Sequence, residues 1–141
     1  MQRYLLPQAF HIRYANIHEE HEALLELLNE MKSGGMHEEP GSIRSATDRF
    51  LDSLATHFAN EERLMAEARY PRYEEHRSHH QECLALASTI LGGDADGAQY
   101  PGKATLDRIF DLLVNTVARV DLYFEEYLIG CGRLPDRPKA V

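Results

Sequence analysis

Six polar side chains occupy positions where a helix-forming sequence would normally place apolar residues facing a core. They are His21, His57, Glu61, His76, His80 and Asp121. Glu61 follows His57 by four residues and His80 follows His76 by four, so each pair lies one helical turn apart on a single face. Burying such groups without compensation costs several kcal/mol, and a shared cation would offset this cost. The pattern therefore predicts a metal site.

Each of these residues also has an ordinary explanation when it is taken alone. A single histidine such as His21 often lies in a core with its ring bonded to a carbonyl, and Asp121 could pair with Arg119. Two histidines, or a histidine and a glutamate, four residues apart on a helix often occur by chance. The coincidence of all six residues on four separate helices favours metal binding.

The donor types indicate which metal is bound and how many ions. Imidazole with carboxylate suits iron, manganese or zinc, whereas Cys83 is the only cysteine near an inward stripe, which disfavours ions that prefer thiolate. Six protein ligands would saturate a single ion and leave no position for a substrate. Two ions that share Glu61 and Asp121 would keep open positions. We therefore expect two ions, and we assign no separate catalytic residue.

Hydrophobic residues recur at helical spacing in four segments, and nothing alternates with the period of a strand. The predicted helices span residues 16–31, 42–69, 72–91 and 104–128, and they end at glycines or before Pro71. Their inward stripes are Ile17, His21, Leu24, Leu28 and Met31; Ile43, Thr47, Phe50, Leu54, His57, Glu61, Leu64 and Ala68; Tyr73, His76, His80, Cys83, Ala87 and Ile90; and Leu106, Phe110, Leu113, Val117, Asp121 and Phe124. Four such helices with short connections predict an all-α, up-down-up-down four-helix bundle.

The length of 141 residues fits one domain. We expect an N-terminal arm over residues 1–15, the bundle over residues 16–129 and a C-terminal tail over residues 130–141. The remaining histidines fall off the inward stripes. We therefore expect His11, His18, His37 and His79 to be solvated.

The composition bounds the partners of the protein. A net charge of −8 and scattered arginines disfavour nucleic acid. No apolar run approaches the ~20 residues that span a membrane, and the first residues lack the pattern of a secretory signal. Two cysteines outside any CxxC pair exclude a disulfide framework and thiol redox chemistry. We expect a soluble, cytoplasmic protein that binds neither nucleic acid nor a membrane.

Taken together, these residues resemble the hemerythrin family. The motifs are His21 in the first helix, HFxxEExxM at residues 57–65, YPxxxxHxxxH at residues 70–80, and the late Asp121. The resemblance spans residues 17–121 and implies a four-helix bundle. It also implies two iron ions in an oxo- or hydroxo-bridged centre, in which one iron keeps a vacancy for oxygen.

The resemblance further implies a role for each residue of the centre. His21 and His57 would bind the iron that accepts oxygen, and His76 and His80 would bind the other iron. Glu61 and Asp121 would bridge the two ions.

The fourth helix departs most clearly from the family pattern. The family usually carries a fifth histidine five residues before the bridging aspartate, where this chain has Thr116, and a tryptophan where it has Leu112. Cys83 replaces a common phenylalanine, and IHEE at residues 17–20 replaces an entry that contains aspartate. Since a threonine hydroxyl is a poor iron ligand, the second iron would have an empty or water-filled position unless Asn115 or Glu125 reaches it.

The resemblance favours a non-enzymatic protein that binds dioxygen for storage, delivery or sensing, with an unidentified protein partner if it senses. Leu24, Leu28, Leu54 and Phe58 predict an apolar lining, which suits a carrier. An enzyme acting on peroxide, oxygen or nitric oxide is the first alternative, because two histidines on each iron would leave labile positions on both. An iron store or a bundle stabilised by metal is the second.

Overall fold

The computed structural model of the protein describes residues 3–34, 40–95 and 102–137. Its helices are α1 (Ile17–Gly34), α2 (Pro40–Glu67), α3 (Tyr73–Ala95), α4 (Lys103–Thr116) and α5 (Leu122–Gly130), with a π-helical turn (Val117–Asp121) between the last two. The arm before α1 contains one short 3-10 turn, Gln8–Phe10. Because α4, the π turn and α5 follow one another without a break, they form the single fourth helix of a bundle.

The four helices pack as an antiparallel bundle in which α2 contacts α1 and α3, and α4 contacts α3 and α1. The expected all-α, four-helix architecture is confirmed. No helix in the described part of the chain combines the length and apolar character needed to cross a bilayer.

The core consists of two apolar clusters at opposite ends of the bundle. Phe50, Leu54, Leu24 and Leu28 belong to the cluster that we call the α1-end cluster, since it reaches Met31 near the end of that helix. The α5-end cluster contains Ile17, Met65, Tyr70, Val117, Phe124 and Leu128. Each helix crosses from one cluster to the other, and successive helices cross in opposite directions. This order is what an up-down-up-down bundle requires.

Several details of the helices differ from the sequence-based expectations. The second helix begins at Pro40 and not at Ser42, in agreement with the preference of proline for a first helical turn. The third continues through both glycines, Gly92 and Gly93, to Ala95. Fully buried Leu91 anchors this last turn in the α1-end cluster, which offsets the helix-weakening effect of glycine.

The inward stripes are correct apart from small errors of register. Met65 and Leu91 are fully buried, whereas the predicted Leu64 and Ile90 are only partly so. Ile109 is also fully buried, and the prediction had placed Phe110 there. Such shifts of one residue arise because a helix of 3.6 residues per turn presents two adjacent positions near the edge of its buried face. Ile43 lies among residues whose side chains are not described.

The π turn in the fourth helix was not predicted. It is closed by a hydrogen bond from the Leu122 N–H to the Val117 carbonyl, five residues earlier. In a regular α-helix, residues five apart point in clearly different directions. One widened turn corrects this offset, and both Thr116 and Asp121 are consequently buried in the bundle.

Candidate metal centre

All six predicted ligands meet in one polar layer between the two apolar clusters. Helix α1 contributes His21, α2 contributes His57 and Glu61, α3 contributes His76 and His80, and the π turn contributes Asp121. The most exposed of them, His21, retains only 7% of its accessible surface, and Glu61 and Asp121 retain none. The side chains therefore face one another and not the solvent.

Two of the histidines and one oxygen of each carboxylate form what we call the His76 half of the centre. His76 Nε2 lies 2.9 Å from Glu61 Oε1 and 3.1 Å from Asp121 Oδ1. His80 Nε2 lies 2.9 Å from the same Glu61 oxygen. One ligand atom from each of the four residues lies within 4.8 Å of the others, which is close enough for all four to hold one ion.

The other two histidines and the second oxygen of each carboxylate form the His21 half. His57 Nε2 lies 3.6 Å from Glu61 Oε2, and His21 Nε2 lies 3.1 Å from Asp121 Oδ2. These four residues satisfy the same 4.8 Å criterion. The contact with His21 lacks the geometry of a hydrogen bond, and the buried Asp121 Oδ2 accepts no hydrogen bond from the described residues. A buried carboxylate oxygen left in this state is costly, and a cation beside it would remove that cost.

The charges of the layer compensate one another through protons on the histidines. Burial by itself would raise the pKa of Glu61, but hydrogen bonds with His76 and His80 hold it well below its usual range. Burial likewise acts to lower the pKa of His76, yet Asp121 and Glu61 raise it to about 9. For His57, the bond to Glu20 and the nearby carboxylates outweigh burial and raise the pKa. Positive charge is therefore favoured at this point, whether protons or metal ions supply it.

In each half, the Nδ1 atom of one histidine contacts a glutamate carboxylate. His57 Nδ1 lies 2.7 Å from Glu20 Oε1, and His80 Nδ1 lies 2.9 Å from Glu62 Oε2. Such contacts fix the orientation of a ligating ring and raise its basicity. Glu20 and Glu62 had not been predicted, because each sits at the edge of its helix face and is partly exposed. The Nδ1 atoms of His21 and His76 have no hydrogen-bond partner among the described residues.

The His21 half borders a small cavity of about 20 Å³, which is room for one water-sized molecule. Its polar lining consists of His21, His57, Asp121 and Thr116. The apolar lining is Leu6, Leu24, Leu25, Leu54, Phe58, Leu113 and Val117. Three of the four predicted apolar residues are among these, whereas Leu28 lies farther away in the α1-end cluster. The small volume and the largely apolar lining suit a small molecule better than a large substrate.

Thr116 occupies the position compared above with the fifth histidine of the family. Its hydroxyl contacts residues of α4 and α3. Thr116 Oγ1 donates to the Leu112 carbonyl at 2.9 Å and lies 3.2 Å from His79 Nε2. It also contacts the Cys83 sulfur at 3.5 Å. The expectation that His79 is solvated is therefore wrong, because its ring is partly buried between α3 and α4. Burial lowers the pKa of His79, so its ring is kept neutral.

The two residues that the sequence offered as substitutes for the missing histidine lie elsewhere. Glu125 is buried, and its carboxylate pairs with Arg13 at 3.0 Å and with Arg137 at 2.6 Å. Asn115 is exposed on α4. Neither side chain is directed to the His76 half.

Two of the remaining histidines are also less solvated than expected. His11 and His18 are partly exposed, and their rings pack against each other with centroids 4.2 Å apart and planes tilted by 40°. His18 Nε2 pairs with Glu22 at 2.7 Å, away from the centre. His37 lies outside the described residues.

One residue beside the centre comes from the arm and escaped prediction. Tyr14 is buried, and its hydroxyl lies 3.4 Å from Glu61 Oε2, the oxygen of the His21 half. Burial, with the negative charges of Glu61, Asp121 and Glu125, raises its pKa well above the usual range. The phenol therefore remains protonated. No periodic pattern covers the arm, so the sequence contains no signal that could have placed Tyr14 here.

Comparison with known proteins gives two matches. Residues 13–126 match the family model described as the hemerythrin HHE cation binding domain. The chain is also similar to a bacteriohemerythrin from Ralstonia nicotianae, with 26% identity over 125 residues that cover 89% of this chain and 88% of the relative. The residues that match the cation binding domain thus include the whole polar layer described above.

Proposed function

Because this chain belongs to the hemerythrin family, we propose that it holds two iron ions and binds dioxygen, or a similarly small molecule, beside one of them. His21 and His57 would bind one ion, and His76 and His80 the other. Glu61 and Asp121 would be shared by both. The donor set fits this assignment, since imidazole and carboxylate together suit iron.

The observation that carries the proposal is the division of each carboxylate between the two halves. Glu61 directs Oε1 to His76 and His80 and Oε2 to His57. Asp121 directs Oδ1 to His76 and Oδ2 to His21. A single ion would not require two carboxylates to be split in the same way. Two ions bridged by both carboxylates would use every one of these oxygens.

The chain's own residues would determine how the centre works. The apolar walls of the cavity exclude bulk water from the His21 half, and small size selects the ligand. Glu20 and Glu62 keep the His57 and His80 rings oriented. Iron, when bound, would supply the electrons that reversible dioxygen binding requires.

The biological role that we propose is storage, delivery or sensing of dioxygen. A sensing role would need a protein partner that reads the state of the centre. The cytoplasmic location remains a prediction from the sequence.

Thr116 supports a second candidate, an enzyme that acts on peroxide, oxygen or nitric oxide. Its hydroxyl is engaged by Leu112, His79 and Cys83, so the His76 half has two imidazoles and no third. An ion held there would keep a labile position, as catalytic metal sites do. The apolar cavity favours the carrier, and we place the enzyme second for that reason.

Metal analysis combined with optical spectroscopy tests the proposal. Two irons per chain and an absorption band that appears in air and disappears on removal of oxygen are expected for a carrier. Irreversible oxidation with consumption of added peroxide or nitric oxide would favour the enzyme. Fewer than two metal ions, or zinc in place of iron after expression in iron-supplemented medium, would contradict the proposed centre.

A further inference from the structure

Tyr14 places a hydroxyl proton donor against one oxygen of a carboxylate that both halves share. Its hydroxyl lies 3.4 Å from Glu61 Oε2, which faces His57, whereas Glu61 Oε1 faces His76 and His80. The phenol is neutral and can donate one hydrogen bond. The contact therefore distinguishes the two oxygens of Glu61 and, with them, the two halves of the centre.

The position of this phenol is fixed by the chain around it. Ala15, the next residue, has φ 48°, a left-handed conformation that is uncommon for residues other than glycine, and it turns the arm sharply before α1. The Tyr14 ring packs edge-on against Phe124, with centroids 4.9 Å apart. Arg13 binds the buried Glu125 carboxylate at 3.0 Å. The backbone is thus fixed on both sides of Tyr14, and its ring is fixed by Phe124. The phenol cannot move far from Glu61 without disturbing the arm.

We propose that Tyr14 is a positioning residue that weakens the hold of Glu61 Oε2 on the ion of the His21 half, and so makes that ion more exchangeable than its neighbour. This inference rests on the proposed two-ion centre. A hydrogen bond donated to a carboxylate oxygen stabilises its negative charge and lowers its basicity, which makes it a poorer metal ligand. Binding of the ion in the His76 half should not change, because the Glu61 oxygen on that side does not contact the phenol.

The opposite effect, in which Tyr14 strengthens binding by orienting Glu61, is disfavoured by the surroundings of that carboxylate. Glu61 has no exposed surface, and in the loaded protein the two ions that share it would orient it. A third contact of 3.4 Å adds little to its orientation. The lowered basicity of the oxygen is the larger effect, so removing the hydroxyl should tighten binding.

Release of iron from the Tyr14→Phe variant tests this inference. Wild-type and variant proteins would be loaded with Fe²⁺ without oxygen and diluted into a chromogenic chelator, and the two ions are expected to leave in separate phases. The phase that belongs to the His21 half is the one that His21→Ala abolishes. In Tyr14→Phe this phase should slow roughly twofold, the effect of a hydrogen bond at the weak end of the ordinary range. The other phase should be unchanged.

Tyr70→Phe is the matched control. Tyr70 is equally buried and packs against the same Phe124 ring at 5.0 Å, but it makes no hydrogen bond with Glu61. Its variant should release both ions as the wild type does. Replacement of Tyr14 by 3-fluorotyrosine, whose hydroxyl is a stronger donor, should speed the phase that phenylalanine slows, and it keeps the test valid if Tyr14→Phe folds poorly.

The outcomes separate this inference from the proposed function. If the wild type takes up two ions and Tyr14→Phe releases both at wild-type rates, or slows both equally, the role of Tyr14 is wrong while the centre stands. If the wild type takes up fewer than two ions, the proposed centre fails and the role of Tyr14 fails with it.

Discussion

The two halves of the centre have the same protein donors but different surroundings. Each has two imidazoles, one of them held by a glutamate, and one oxygen from each shared carboxylate. The His21 half faces the apolar cavity and the Tyr14 hydroxyl. In the His76 half, the His80 ring is stacked on Phe58 with centroids 4.0 Å apart and 9° between the planes. If the centre holds two ions as proposed, this difference predicts that a small ligand reaches the first half and that the second retains its metal more firmly.

The fourth helix contributes to this difference through its π turn. The widened turn lets Asp121 reach both halves while Thr116, five residues earlier, still faces inward. Thr116 lines the cavity and contacts His79 and Cys83 on α3. The helix therefore places a carboxylate that faces both halves at one end of the turn and a neutral hydroxyl at the other.

Removing a shared ligand should have the largest effect because it damages both halves at once. Glu61→Ala is expected to lose at least one of the two ions and to lower the free energy of unfolding of the loaded protein by roughly 3–5 kcal/mol, the usual cost of removing one partner from a buried charge cluster. Metal analysis and thermal unfolding measure both effects. Glu67→Ala, which changes an exposed glutamate on the same helix, is the control. A Glu61→Ala protein that keeps two irons and its melting temperature would disprove the bridge.

The next prediction concerns protons that stand in for the ions when metal is absent. His76 has a folded-state pKa of about 9, above its ordinary value of 6.5. Its protonation therefore stabilises the metal-free protein fully below pH 6.5, and this contribution is lost as the pH rises through 9. The loss should reach up to ~3 kcal/mol, by the usual conversion of a pKa shift.

Urea unfolding at both ends of that pH range, with and without metal, measures the effect. The loaded protein should lack this loss, because ions replace the protons on the histidines. Equal pH dependence of the two forms would show that His76 does not carry the compensating charge.

An imidazole introduced at position 116 should close the labile position that we propose for the His76 half. Thr116→His is expected to slow oxidation of the ferrous protein in air roughly tenfold and to limit azide to one site, because it closes the labile position. The new ring would meet His79, so the substitution is best made together with His79→Ala. His79→Ala alone is the control and should leave the metal content unchanged.

The decay of the oxygenated protein and the azide stoichiometry are the measurements for this variant. If neither changes, another group already fills the position. That group would not be Glu125, whose carboxylate is bound by Arg13 and Arg137.

The sequence predicted the helices and the inward polar residues because both follow one strong helical period. Buried apolar residues repeat every three or four positions, and any histidine or carboxylate on that stripe stands out, as His57 and Glu61 do. The metal-holding role of the six residues stays a prediction. Features without a period could not be found in this way.

Three such features surround the centre. Tyr14 belongs to the arm, where a single left-handed residue and not a repeat sets its direction. The π turn results from packing around Asp121, and the α-helical period gives no sign of it. The partners of the ligand histidines, Glu20 and Glu62, resemble ordinary surface glutamates in sequence. Contacts between segments that are distant in the sequence determine all three. A single sequence therefore gives no local sign of them.

The last prediction separates the halves through these two glutamates. Glu20→Gln should weaken the ion of the His21 half, and Glu62→Gln the ion of the His76 half, since each removes the charge behind one ligand ring, at His57 or His80. The expected loss of affinity is about tenfold for the affected ion, at the low end for partners of ligating histidines, because both glutamates are partly exposed. Biphasic release of Fe²⁺ to a chelator measures each ion separately.

Glu22→Gln is the matched control, because Glu22 also pairs with a histidine, His18, but one outside the centre. Glutamine keeps the size of each side chain and can still accept a hydrogen bond, so the variants change charge with little change in packing. If the two halves are independent in this respect, Glu20→Gln and Glu62→Gln must accelerate different phases. If both variants accelerated the same phase, weaker binding of one ion would be transmitted to the other through Glu61 and Asp121. The two halves would then differ in their surroundings but not in how firmly they retain metal.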